Sequence, residues 1–135
     1  MSQWVHLIGA IHIETFGELT KGKLKRKIEK IIRKAPKITG SEVNVDMYVN
    51  IEKGYDIFSY HNGVEEKYQS RAIITLQGDL RDRTPQETKV EVNNFLKYIS
   101  EQFSIRVGCI IIENEIFTSK IIIPTEEEKI IEYNY

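Results

Sequence analysis

The chain has 135 residues, 41% hydrophobic and 29% charged, with 8 Gly, 3 Pro and one cysteine, which excludes a disulfide scaffold, a collagenous repeat and a disordered chain. Its formal net charge of -1 argues against general nucleic-acid affinity. The charge is unevenly placed, however: nine Lys or Arg and one Glu lie between Lys21 and Lys37, while Glu113, Glu115, Glu126, Glu127, Glu128 and Glu132 gather toward the end.

Met1-Ser2-Gln3-Trp4 carries no basic segment followed by an apolar stretch, and no apolar run approaches the roughly 20 residues that cross a bilayer. The expectation is a cytosolic protein with no membrane partner. One domain over residues 1–124 with an acidic tail over 125–135 accounts for the length.

From Trp4 to Thr15 the residues alternate as a strand, with Val5, Leu7, Gly9, Ile11 and Ile13 on one face and Trp4, His6, Ile8, Ala10 and His12 on the other. Leu24, Ile28, Ile31, Ile32 and Ala35 recur at helical spacing, with Thr20 as a cap and Pro36 as the stop. Val43 to Ile51 alternates cleanly and predicts a second strand. Asn62-Gly63 marks a hairpin, and Ala72 to Gln77 a third strand, so that Tyr55, Phe58, Tyr60 and Tyr68 decorate a projecting arm. Thr84-Pro85-Gln86-Glu87 combines a cap, Pro at the first helical position and a capping box, and opens a helix with Val92, Phe95 and Ile99 inward. Ile105 to Ile112 is a core strand, and Ile116 to Ile123 adds another, stopped by Pro124. The tail, Thr125 to Tyr135, is open to a short helix, an added strand or disorder. The order strand, helix, hairpin, helix, strand predicts an α+β, ferredoxin-like βαββαβ sandwich with a long central hairpin and an extra C-terminal strand, both helices covering one face of the sheet.

Signatures for dinucleotides, phosphate loops, hydrolases and zinc are missing from the chain, so neither a catalytic residue, a metal nor a cofactor is assigned. His6 and His12 share a strand face but lie roughly 20 Å apart at about 3.3 Å per residue, too far for one metal. As a two-histidine phosphodiesterase the chain fails, because His12-Ile13-Glu14-Thr15 places the hydroxyl one position late and has no second copy. Cys109, inside an apolar run, reads as a buried core thiol.

Two groups of residues could bind. In the loop Asp79 to Thr84, Arg81 and Arg83 stand beside a helix N-terminus and could hold an anion; equally, Asp79 and Asp82 could cap that helix and pair with the arginines. With Arg71 as a third cation and Trp4, His6 and Tyr48 for stacking, these residues form a candidate site for an anionic, nucleotide-like ligand. Lys23, Arg26, Lys27, Lys30 and Arg33 form a basic helix face that could track phosphates, or could simply be solvated. Trp4, Ile8, Ala10 and Ile73, with Arg71, leave an apolar face larger than a soluble monomer shows, which predicts a homo-oligomer.

Trp4-Val5-His6 with Gly9 and Ile11, Ile38-Thr39-Gly40-Ser41-Glu42, and Gly78-Asp79-Leu80-Arg81-Asp82-Arg83-Thr84 with Glu87-Thr88 form three blocks. They resemble a family of small uncharacterised proteins carried by phages and prophages of Firmicutes, over roughly the first hundred residues. The resemblance implies a context and no residue roles: a non-enzymatic accessory protein that counters a host process, by sequestering a nucleotide-like signal or by blocking a host protein. A nucleic-acid-binding regulator using the basic helix, and an interaction module of a phage assembly, are the alternatives.

Overall fold

The computed structural model describes residues 3–15, 21–53, 70–123 and 131–134. Along the chain run β1 (Trp4–Thr15), α1 (Lys21–Lys34), β2 (Asp46–Lys53), β3 (Ser70–Arg81), α2 (Pro85–Gln102), β4 (Ser104–Glu113), β5 (Thr118–Ile123) and β6 (Ile131–Asn134). The protein is mixed α+β: the described residues form two helices and one antiparallel sheet ordered β2-β3-β1-β4-β5-β6. Part of the acidic tail therefore forms a strand. The Thr20 cap and the hairpin aromatics Tyr55, Phe58, Tyr60 and Tyr68, with Asn62-Gly63, lie outside the described residues.

Strand β1 occupies the centre because its alternation supplies Val5, Leu7, Ile11 and Ile13 to the core, all 2% exposed or less. Small and large residues complement each other where it meets β4. Gly9 stands opposite Ile110, and Gly108 opposite Ile11. A Cβ at Gly9 would come within 2.8 Å of the Cys109 carbonyl oxygen and of Ile110 Cγ1, so the isoleucine fills the space the glycine leaves. Between His12 and Ile13 the register shifts and β4 carries Arg106 as an extra residue, a bulge that bends the strand.

The helices bury their stripes on the same side of the sheet. Leu24 and Ile28 of α1 and Val92, Phe95, Leu96 and Ile99 of α2 join the strand residues in one core. The capping box forms as its sequence dictates: Glu87 N donates to Thr84 Oγ1 at 3.2 Å, and Thr84 N donates back to Glu87 Oε1 at 3.3 Å. One turn after β4 is tied by Asn114, whose Oδ1 accepts from Ile116 N at 2.9 Å and Phe117 N at 2.7 Å. Ile116 thus sits in the turn, and the strand begins two residues later than its apolar run suggests.

The opposite sheet face carries Trp4, Ile8, Tyr48 and Val107, which are 43%, 59%, 60% and 42% exposed. Ala10 is exposed there too, with Ile73 and Arg71 half-buried. Cys109 belongs to this face and is exposed, which corrects its reading as a core thiol. The reason is parity: Gly108, Ile110 and Ile112 take the core side, so Cys109 and Ile111 point the other way. Among the described residues no helix is long and apolar enough to cross a membrane.

Candidate functional site

The three sequence blocks meet at one corner of the molecule. Because β1 and β3 are antiparallel neighbours, the start of one lies beside the end of the other: Trp4 is registered with Arg81, and His6 with Asp79. The connection between α1 and β2 folds back against them. There Gly40 N donates to Val43 O at 2.8 Å, Val45 N to Ile38 O at 2.9 Å, and Ser41 N to Arg81 O at 3.0 Å. A Cβ on Gly40 would stand 3.1 Å from Leu80 Cα and 3.2 Å from Arg81 N, so this approach requires glycine. Asp82 takes a left-handed turn (φ 58) and its N–H donates to Gln3 O at 2.6 Å, closing the corner from the β1 side.

Side chains lock the same corner. Arg81 Nη1 donates to Glu42 Oε1 at 2.6 Å. Arg83 Nη1 donates to the Asp82 carbonyl at 2.9 Å, and its Nη2 to Thr39 Oγ1 at 3.5 Å. Thr39 is gripped by the Glu91 carboxylate, with N to Oε2 at 2.6 Å and Oγ1 to Oε1 at 2.8 Å, both part-buried. The α2 N-terminus is closed by Glu87, and neither Asp79 nor Asp82 caps it. That corrects the reading in which Asp79 and Asp82 cap the helix; Asp79, Leu80 and Arg81 belong to β3, and Arg81 and Arg83 donate to groups of the chain itself.

Beside this corner the open sheet face sinks into a depression of about 480 Å³, lined among others by His6, Ile8, Asp46, Gln77, Asp79 and Glu113. His6 Nδ1 donates to Asp79 Oδ1 at 2.5 Å, and Glu113 is its register partner on the other side. With side chains 52% and 71% exposed, the His6–Asp79 pair lies in water. It orients the ring and contributes little to stability. Acceptors dominate the depression, so it suits a group that donates hydrogen bonds. Among the described residues, no cluster of three His, Cys, Asp or Glu could hold a metal ion.

The candidate ligand residues do not form one site. Trp4, His6, Arg81 and Arg83 share the corner. Arg71 lies ten residues from Arg81 on the same strand, about 33 Å at ~3.3 Å per residue, and cannot share an anion with it. Tyr48 is registered with Thr75, some 20 Å along β3 from Arg81 at the same rise. Extended strands separate residues that a linear reading groups together. Conversely, Asp46, Glu91 and Glu113 enter the corner or the depression unannounced by any local motif, whereas Glu42 closes the second block. Only Glu91, an acid on the half-buried side of α2, carries a signal, since such a carboxylate requires a partner.

Lys23, Arg26, Lys27, Lys30 and Arg33 are all exposed on α1, a helix of 14 residues or about 21 Å at ~1.5 Å per residue. They lie on the helix-bearing side of the sheet, away from the depression. No family model, no curated protein and no solved structure matches the chain.

Proposed function

We propose that this chain is a non-enzymatic, homo-oligomeric binding protein acting in the bacterial cytoplasm, of the phage accessory kind that its three blocks resemble. It counters a host process by sequestering a nucleotide-like signal or by blocking a host protein. The observation that carries the reading is the convergence of the three blocks on one corner, beside a polar depression in an uncovered sheet face. Asp46, Asp79 and Glu113 offer acceptors for the amino and hydroxyl groups of a base and a ribose, and Trp4 offers an aromatic surface. Arg81 and Arg83 are the nearby cations, and by holding Glu42 and Thr39 they also shape the rim. The β1–α1–β2–β3–α2–β4 stretch is, on this reading, a ferredoxin-like split βαβ sandwich, supported by helices on one face and by β1 and β3 lying between β4 and β2. β5 and β6 extend it on one side.

Native mass spectrometry of protein purified gently from cells with an active nucleotide-signalling defence tests the ligand. A discrete mass, released on denaturation and lost in Asp79→Ala/Glu113→Ala, is expected. A clean oligomer from those cells would refute sequestration and leave a host protein as the target.

A second reading rests on the five exposed cations of α1. A nucleic-acid-binding regulator would lose affinity steeply with salt, log K falling by about 0.9 per phosphate neutralised on duplex DNA. Salt-independent or undetectable binding would remove this reading.

A further inference from the structure

The open face is built to meet itself. Its central row runs Thr75–Ala10–Cys109 across β3, β1 and β4. Four residues toward the start of β1 stands His6, flanked in register by Asp79 and Glu113. Four residues the other way stands Glu14, registered with Arg71 and bonded to Arg106 at 3.4 Å. One end of the face therefore presents an imidazole between two carboxylates, and the other a carboxylate between two arginines.

From this pattern we infer that a second copy of this chain covers the open face, related by a two-fold axis along the Thr75–Ala10–Cys109 row, with the strands of the two sheets antiparallel. The inference rests on the oligomeric reading above and deepens it; because it engages Asp79 and Glu113, a ligand held by them would lie between the two copies. Rotation about that row brings Asp79 toward the second copy's Arg71, His6 toward its Glu14 and Glu113 toward its Arg106, each contact occurring twice. A two-fold axis along β1 instead would face Asp79 with Glu113 in both directions and crowd four carboxylates at one end, against a gain of Asp46 facing Lys120. Charge thus selects one of the two face-to-face arrangements, in the way complementary potentials fix register at interfaces.

Between the charged rows the face is mixed: Ile8, Ala10, Val107 and Cys109 are exposed and Ile73 and Ile111 half-buried, with the polar residues Asp46, Gln77, Thr75, His12 and Lys120 set among them. β3, β1 and β4 run the full span from His6 to Glu14, whereas β2, β5 and β6 cover only part of it, so with ~4.8 Å between strands and ~3.3 Å per residue the facing plane is roughly 570 Å² per partner. That is near the ~600 Å² per partner at the low end of specific interfaces. Aligned sheets of this kind keep their strands within about 30° and pack about 10 Å apart.

The test is a charge swap followed by sedimentation. Wild type is expected to dimerise below about 100 µM. Arg71→Asp or Asp79→Arg alone converts two facing attractions into repulsions and should weaken association about tenfold or more, whereas Arg71→Asp/Asp79→Arg restores the pairs and returns it to within about threefold of wild type. Circular dichroism of each variant shows that it is folded. Because Cys109 lies on the axis, a bismaleimide spanning ~10 Å should link two chains through it in the dimer. A folded wild type that stays monomeric, or single variants that dimerise like wild type, or a double variant no better than the singles, would overturn the arrangement. A dimer that carries no ligand would leave this interface standing and refute only sequestration, and a ligand-bearing monomer would do the reverse.

Discussion

Glu91 is the clearest place to test how the corner is held. Its carboxylate accepts two hydrogen bonds from Thr39, at 2.6 and 2.8 Å, across 52 residues of sequence. Hydrogen bonds to a charged acceptor contribute about 1.5–3 kcal/mol net each, toward the low end where water competes, as at this part-buried site. Glu91→Ala removes both acceptors and leaves the Thr39 amide and hydroxyl to be resatisfied, a loss we place at about 2–3 kcal/mol. With an m-value near 2 kcal/mol/M in urea, the unfolding midpoint should fall by about 1–1.5 M. Thr39→Val keeps the shape and the amide bond and should lose about 1 kcal/mol. The double variant Thr39→Val/Glu91→Ala should then cost less than the two singles combined, because one hydrogen bond is counted in both. Urea unfolding followed by circular dichroism reads all four proteins. A Glu91→Ala midpoint within error of wild type, or strict additivity in the cycle, would refute the claim that this carboxylate ties α2 to the corner.

Other consequences are as direct. Thr84→Ala removes the acceptor of the Glu87 amide and half of the capping box, and should lower the unfolding free energy by about 1 kcal/mol, read as a urea midpoint roughly 0.5 M lower. Gly9→Ala drives a methyl to 2.8 Å from the Cys109 carbonyl and should destabilise by about 1–3 kcal/mol, read as a lower urea midpoint; an unchanged midpoint would contradict the packing described. Cys109 should react with a water-soluble disulfide reagent without denaturant in dilute solution and more slowly as concentration rises, whereas a thiol that reacts only after unfolding would contradict its exposure.

What could be read from the residues in order was whatever depends on near neighbours. The capping box at Thr84 and Glu87 is complete within four residues, and the alternation of β1 places Val5, Leu7, Ile11 and Ile13 without reference to the rest of the chain. Cys109 was misplaced because the run Ile105 to Ile112 is apolar on both parities, so alternation alone cannot say which side faces the helices. Gly78 and Asp79 suggested that the third strand ends, yet pairing with β1 carries it on to Arg81. The site was legible only in part for the same reason. The contacts His6–Asp79 and Thr39–Glu91 join residues 73 and 52 positions apart, beyond the reach of any periodicity.

The position of β1 also bears on how the protein is made. It leaves the ribosome before the other described strands and lies between β3 and β4, so its second neighbour is complete only at Glu113, about 100 residues later. At roughly 5–20 residues per second, synthesis leaves it without that partner for about 5–20 s. During that interval Trp4, Val5, Leu7, Ile8, Ile11 and Ile13 expose apolar groups on both sides of one short segment. The sheet therefore closes late, through contacts of long sequence separation that make folding slow.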